Sequence, residues 1–302
     1  MRIFKVGFVL LVAMFAAVST FGQGLPIYNS IPAPLPGNFA SQPFQAQQTS
    51  EVGDRVQFTA GTGRKLFKVT QTMSSWGCES GSWVGGDCAS TPGSTFSHPI
   101  TLNIYNVGPG NSVGSLIGSV TQTFAIPFRP SASITCGDGR WYSVADASCY
   151  NGFATNITFN LAGLSVPDEV IYGIAYNTTT YGYAPIGTSA PCFSTTQGCG
   201  YDSLNVALGG TPTVGTDPAP DDAYWNTLVG AWYCDGGAGG AGTFRYDAGC
   251  WTGYKSVVKF EGVNQPANAN QCKNGGWRFL TRANGSTFKN QGDCVSYVQN
   301  GR

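Results

Sequence analysis

Hydrophobic and polar residues alternate along short runs of this chain, which is the pattern of β-strands with one buried face. In Ile100-Thr-Leu-Asn-Ile104 every second residue is apolar, and Ile157-Thr-Phe-Asn-Leu161 repeats the pattern. The strands predicted in this way are Arg55–Phe58, Leu66–Met73, Ile100–Val107, Ser115–Phe124, Asn156–Leu161, Glu169–Tyr176, Leu204–Leu208 and Ser256–Phe260. No stretch of residues 50–262 has a helical stripe. Eight strands joined by long loops predict an all-β fold, a two-sheet, jelly-roll-like sandwich.

The segments around this sandwich have different compositions. Residues 1–22 combine a charged start, an apolar run and small residues near the end, which is typical of a signal peptide. The apolar run is shorter than the roughly 20 residues that a membrane span needs. Residues 23–49 are rich in proline and predict an extended arm, residues 50–262 the sandwich, and residues 263–302 a small basic module after a polar linker at 261–270. We therefore expect a secreted or cell-surface protein without a transmembrane span.

Ten cysteines follow the leader and lie as five near-neighbour pairs. Exported proteins meet oxidising conditions, where thiols pair. The sequence alone does not fix the connectivity, but pairing between nearest neighbours is the economical prediction. The alternative, metal ligation, has little support because the chain has no CxxC and a single histidine. The predicted disulfides are Cys78–Cys88, Cys136–Cys149, Cys192–Cys199, Cys234–Cys250 and Cys272–Cys294. Four of them staple long loops, and the last closes the C-terminal module.

Charge is scarce and unevenly distributed. Charged residues make up 11% of the chain, well below the usual ~25%. Residues 23–262 have a net charge of −6, whereas residues 263–302 have a net charge of +4. The acidic body argues against nucleic-acid binding. The basic tail predicts contact with an anionic cell-wall polymer.

Aromatic residues are concentrated near the cysteines, which gives two interpretations of the loops. A tryptophan packed on a disulfide can form a small local core. Alternatively, aromatic faces beside amide side chains suit sugar rings. The candidate ligand-binding residues in these Gly- and Asn-rich loops are Tyr181, Tyr183, Trp225, Trp232 and Tyr233.

Three further patterns bear on the chemistry of the chain. Asp217, Asp221 and Asp222 form the densest acidic cluster and are candidate ligands for Ca²⁺, although such a proline-rich turn also uses Asp to cap backbone amides. His98, the only histidine, precedes Pro99 and is expected to be a packed residue rather than a catalytic base. The glycines of residues 237–242 match G-x-G-x-x-G but lack the required strand and helix, so they predict a flexible loop.

Two stretches resemble proteins of a known kind. The run Leu102-Asn-Ile-Tyr105, with Gly114–Gly118, Ile157–Leu161 and Pro167–Tyr176, resembles the β-sandwich domains of bacterial exported surface proteins. The C-terminal CKNGGW and FKNQGDCVSYV segments are similar to a short tail found on many uncharacterised exported bacterial proteins. The resemblance implies an exported sandwich and brings no activity or cofactor.

Taken together, the sequence predicts a non-enzymatic exported protein that binds extracellular or surface polysaccharide. The alternative is a purely structural or adhesive surface protein, and a third possibility is a glycoside or ester hydrolase. No cofactor is expected apart from the candidate Ca²⁺, and the oligomeric state is open.

Overall fold

A computed structural model describes residues 24–44, 47–83, 85–176, 204–253 and 255–301. Their strands form two six-stranded sheets and one two-stranded ribbon, with every pairing antiparallel. The first sheet contains β1 (Leu25–Asn29), β2 (Ala40–Gln42), β4 (Thr62–Ser75), β9 (Phe153–Ser165), β11 (Leu204–Leu208) and β14 (Val258–Gln265). The second sheet contains β3 (Thr49–Gln57), β5 (Thr95–Val107), β6 (Val113–Pro127), β10 (Glu169–Ala175), β12 (Asp222–Thr227) and β13 (Arg245–Ala248). The ribbon pairs β7 (Trp141–Ser143) with β8 (Ser148–Tyr150), and the α-helix α1 spans Gln291–Asn300.

The two sheets share one hydrophobic core, built from the alternating residues that the sequence pattern identified. In β5 every second residue from Phe96 to Ile104 is buried. Rings from opposite sheets meet edge-on, with centroids 4.9 Å apart for Phe124 and Phe159 and 5.3 Å apart for Tyr172 and Phe260. The predicted all-β sandwich is thereby confirmed.

Successive strands cross repeatedly between the sheets, as in a jelly-roll-like sandwich. The chain passes from β3 in the second sheet to β4 in the first, and later from β9 to β10, β11, β12 and back to β14. The β5–β6 hairpin is an exception that stays within one sheet. Its connection places Gly110 and Asn111 at positive φ, a conformation that these two residue types adopt most readily.

Two predicted segment boundaries are wrong. The expected extended arm at residues 23–49 is part of the sandwich, because β1 pairs with β14 and β2 pairs with β11. The expected linker at 261–270 begins inside β14, which continues to Gln265. The boundary predicted at 262/263 therefore cuts a strand. The C-terminal unit, hereafter the tail module, comprises residues 266–301.

Four of the predicted disulfides are present: Cys78–Cys88, Cys136–Cys149, Cys234–Cys250 and Cys272–Cys294. The fifth pair, Cys192 and Cys199, lies outside the described residues. Within the described ranges, no helix is long and apolar enough to cross a membrane.

Candidate functional site

An exposed aromatic turn follows β12 and leads into the loop that the Cys234–Cys250 disulfide closes. We call residues 228–250 the Trp232 loop. Trp232 lies at the end of a short 3-10 helix, Gly230–Trp232, and is 47% exposed. Leu228 beside it is 68% exposed. All seven tryptophans lie in the described ranges; Trp232 is exposed, and the other six are buried or half-buried.

Below this turn lies a rigid aromatic base. The Trp225 ring packs edge-on against Trp251 with centroids 5.2 Å apart and lies 5.5 Å from the Tyr233 ring. The Trp251 indole N–H donates to Asp247 (2.9 Å), which also accepts the backbone N–H of Cys234 (3.1 Å). Burial raises the pKa of the Asp247 carboxyl despite these hydrogen bonds. The exposed turn is therefore held on a base that is part of the main core.

A charged pair borders the same loop. Arg245 donates to Asp235 (2.8 Å), and its guanidinium lies 3.9 Å from the centroid of the Tyr233 ring. Asp235 also accepts the backbone N–H groups of Gly237 and Gly239. The Arg245 hydrogen bond and these amides lower the pKa of Asp235 to about 2. The loop thus presents an apolar turn together with a fixed carboxylate and a fixed guanidinium.

The structure separates the five predicted ligand-binding residues. Trp232 is exposed as a binding surface requires. Trp225 and Tyr233 are 2% and 3% exposed, so the prediction that their faces contact a ligand is wrong; they pack in the core instead. Tyr181 and Tyr183 lie outside the described residues. Sequence reasoning missed Leu228, whose apolar side chain directly follows the last strand residue of β12.

The predicted calcium ligands do not converge as a triad. Asp222 accepts the hydroxyl of Tyr246, Asp217 accepts the backbone N–H of Ala219 (3.0 Å), and Asp221 is exposed. Among the described residues, the one group of three metal-ligating side chains with atoms within 4.8 Å is Cys234, Asp247 and Cys250, and its cysteines are joined in a disulfide. The described structure therefore does not bring Asp217, Asp221 and Asp222 together as one three-carboxylate site.

Asp217 is instead associated with a buried acid of β3. Asp54 is 3% exposed and lies on the core face together with Val52 and Val56. Its pKa is raised well above the usual value, first by burial and then by the charge of Asp217. The phenol of Tyr28 lies near both acids: burial raises its pKa most, and the charges of Asp54 and Asp217 raise it further. The alternation Val52-x-Asp54-x-Val56 was a usable sequence signal for this buried acid.

Among the described residues, Glu51, Asp54 and His98 each have separate surroundings. Glu51 and Asp54 are three residues apart in a strand, so their side chains lie on opposite faces of the second sheet. Glu51 accepts hydrogen bonds from Asn103 (2.9 Å) and Tyr105 (3.1 Å) on its own face. His98 lies inside β5 with its ring 5.1 Å from Tyr176, and burial lowers its pKa to about 4. Its expected role as a packed residue agrees with this position.

A second surface feature is the open side of the sandwich, where β6 and β9 are both edge strands among the described strands. Neither β6 (15 residues) nor β9 (13 residues) contains a charged residue. The Gln122 side chain bridges them by donating to the carbonyl of Asn160 (2.9 Å) and accepting its N–H (3.3 Å). Beyond this bridge, β9 bulges at Gly163, and a groove of 520 Å³ opens between the strands. The groove is lined mainly by apolar side chains, including Leu102, Ile104, Val120, Leu161 and Leu164.

The tail module has its own small core. Its buried members are Cys272, Leu280, Phe288 and Cys294. Three of its cations are exposed: Lys273, Arg278 and Lys289. Arg282 is half-buried and paired with Asp293 at 2.7 Å.

Compared with protein-family models, with curated proteins and with solved structures, the chain matches none.

Proposed function

We propose that this chain is a non-enzymatic exported protein that binds extracellular polysaccharide through the Trp232 loop. One observation carries the proposal: the loop exposes the faces of Trp232 and Leu228, while the aromatic residues beneath them are buried. An exposed tryptophan on a fixed base loses little conformational entropy when a sugar ring stacks on it.

The polar border of the loop supports the same assignment. Sugar hydroxyls need donors and acceptors beside the stacking face, and Asp235 and Arg245 supply a carboxylate and a guanidinium that already hold each other in place. The exposed cations of the tail module favour polysaccharides that carry anionic groups, or an anionic cell-wall polymer bound alongside.

The test is retention of the mature, oxidised protein on a panel of polysaccharides, measured by affinity electrophoresis and glycan array. Trp232→Ala is expected to weaken binding at least about tenfold, equivalent to about 1.4 kcal/mol. Tyr142→Ala is the matched control, because Tyr142 is an exposed aromatic residue (36%) on the β7–β8 ribbon, which the proposed site does not use. Failure of the wild-type protein to bind any polysaccharide, or equal binding by Trp232→Ala, would refute the proposal.

A second candidate function is structural: association of copies of this chain through their open edges. Natural proteins usually protect edge strands with charged residues, prolines or bulges. The 15-residue β6 contains no charged residue. Two copies can therefore pair antiparallel along it without placing like charges opposite each other. The long uncharged edge is the observation that favours this function.

The structural function predicts concentration-dependent dimers in sedimentation equilibrium. Thr121→Lys, near the middle of β6, places two lysines opposite each other in the paired strands and is expected to abolish the dimer. Thr213→Lys, an exposed position in a loop, is the control. A wild-type protein that stays monomeric at all concentrations would exclude this function and leave polysaccharide binding untouched.

A further inference from the structure

The interior between the two sheets contains an oxygen cluster that the candidate polysaccharide site does not use. The chain segment 214–216 bridges the two sheets at this place: the N–H of Asn29 on β1 donates to Val214 (2.9 Å), and Gln57 on β3 exchanges hydrogen bonds with Thr216 (2.9 Å each). The next residue, Asp217, directly follows this bridging segment, and one of its carboxylate oxygens is buried. Tyr28 lies on β1 and Asp54 on β3.

Two oxygen atoms of this cluster are buried without a hydrogen bond of normal geometry among the described residues, although the nearby Ser30 side chain acts to lower the pKa of one of them. They are the hydroxyl oxygen of Tyr28, whose residue is fully buried, and Oδ2 of Asp217. The Asp54 carboxylate accepts one backbone N–H at each oxygen, from Arg55 (2.7 Å) and from Ser256 (3.3 Å), which leaves a lone pair on each oxygen. Leaving such oxygens buried and unpaired is costly, and a ligand that accepts oxygen lone pairs removes the cost.

The charges around the cluster are unbalanced. The charges of Asp217 and Asp222 act on Asp54, and those of Asp221 and Asp222 act on Asp217, whereas Lys255 is the cation that acts on Asp217. Arg55 acts on neighbouring Tyr224 and is itself paired with Glu169 at 3.1 Å. When these acids are ionised, negative charge exceeds positive charge, and a bound cation is the partner that offsets both their burial and their mutual repulsion.

We propose that Asp54, Asp217 and Tyr28 form a binding site for a hard divalent cation, and we name Ca²⁺ as that ion. The donors are all oxygen atoms, which hard cations prefer, while Zn²⁺ and copper favour the nitrogen and sulfur donors that this cluster lacks. Ca²⁺ suits the site better than Mg²⁺, because Ca²⁺ accepts irregular geometry and completes its coordination with water. The ion enters from solvent at Asp217, which is half-buried, whereas Asp221 nearby is exposed.

The bound ion would tie the 214–217 segment to both sheets, and so the site predicts calcium-dependent stability. The test uses the full mature chain with its disulfides intact, stripped of metal by a chelator. Thermal unfolding is followed with and without CaCl₂, and Tb³⁺ luminescence excited through tyrosine reports direct binding. We expect the wild-type midpoint to rise with each addition of CaCl₂ and Tb³⁺ emission to be displaced by Ca²⁺.

Two variants and a control make the test specific. Asp217→Asn is expected to lose the calcium-dependent rise and the Tb³⁺ emission, and Tyr28→Phe to weaken both while keeping the fold. Asp138→Asn, with a side chain 87% exposed in another loop, is expected to behave as wild type. The proposal is overturned if CaCl₂ leaves the wild-type midpoint unchanged, or if Asp217→Asn responds as the wild type does. If Asp54 and Asp217 instead share a proton, CaCl₂ should leave the wild-type midpoint unchanged, and Asp217→Asn should be more stable than wild type at neutral pH.

Discussion

The Trp232 loop and the tail module are both closed by a disulfide and both surround aromatic residues, yet they are stabilised in different ways. Trp225, Tyr233 and Trp251, which support the Trp232 loop, belong to the main core of the sandwich. The tail module instead packs four buried residues of its own around the Cys272–Cys294 bridge. The Cys234–Cys250 disulfide therefore supports a loop that the main core already holds. The Cys272–Cys294 disulfide, by contrast, is needed for the short tail module to form a core by itself.

The comparison predicts its largest effect for removal of each disulfide. Loops of 16 and 22 residues are worth about 3 kcal/mol each in the chain-entropy model. In the tail module this loss is expected to unfold the module, because a core of four buried residues cannot supply the lost stability by itself. Cys272→Ser with Cys294→Ser should abolish amide-exchange protection in α1 and leave the sandwich folded.

The matching double variant, Cys234→Ser with Cys250→Ser, should keep the Trp232 loop packed, because Trp251 and Tyr233 remain held by the sandwich. Hydrogen exchange followed by mass spectrometry measures both cases. Equal loss of protection in the two regions would show that the distinction between them is wrong.

The next largest effect concerns the aromatic residues. Trp225→Ala removes a ring that is 2% exposed and donates to Thr49 (3.0 Å), and is expected to cost about 3–5 kcal/mol of global stability. Trp277→Ala removes a half-buried ring of the tail module and should cost about 1–2 kcal/mol, confined to that module. Urea unfolding monitored by circular dichroism gives the global value, and hydrogen exchange in α1 gives the local one. A global loss from Trp277→Ala as large as that from Trp225→Ala would contradict the separation of the two cores.

The two regions are also expected to respond differently to mild acid. Burial raises the pKa of Asp247 in the Trp232 loop, so its contribution to stability is complete below pH ~3.8 and is lost as pH rises through the folded-state pKa. In the tail module the backbone N–H of Lys289 and the guanidinium of Arg282 lower the pKa of Asp293. Its contribution is complete above pH ~3.8 and is lost as pH falls through the folded-state pKa.

Between pH 7 and pH 4, acidification should therefore slow exchange of the Trp251 indole N–H and leave α1 unchanged. Below pH ~4 the tail module should loosen, and as the pH approaches 2 the loop should loosen as well, because Asp235, whose pKa is about 2, is then protonated. NMR exchange rates measure both regions in one sample. Asp247→Asn should remove the response above pH 4, and a response that persists in this variant would assign it to another group.

The sequence pattern was informative where one strand face is buried and misleading where pairing depends on distant chain. Alternation in Ile100–Ile104 and Ile157–Leu161 marked strands correctly, because the period of two is a local property. Leu25–Asn29 resembled an arm because its partner, β14, lies more than 200 residues away, and nothing local signals that pairing.

The candidate site shows the same limit. The Gly- and Asn-rich composition of this region grouped Trp225, Trp232 and Tyr233 as one candidate site, but it could not separate the two rings that face inward from the one that faces outward. Their orientation depends on contacts with Thr49, Thr243 and Trp251, which are set by the fold. Asp217 was grouped with Asp221 and Asp222 by adjacency, whereas its neighbour in space, Asp54, is far away in the sequence.

The smallest expected effect on stability comes from replacing one arginine by lysine in each region. Arg245 pairs with Asp235 over Tyr233, and Arg282 pairs with Asp293 at 2.7 Å with its guanidinium 4.7 Å from the Phe288 ring. A lysine keeps the charge but loses the planar stacking and the fork of donors, so each Arg→Lys change should cost no more than about 1 kcal/mol. Against the large core of the sandwich, Arg245→Lys should be barely measurable in urea unfolding. Arg282→Lys should visibly raise hydrogen exchange in α1, since the same loss is a larger share of the stability of a module with four buried residues. If Arg245→Lys instead has the larger effect on its own region, the Trp232 loop depends on its ion pair more than on the aromatic base beneath it.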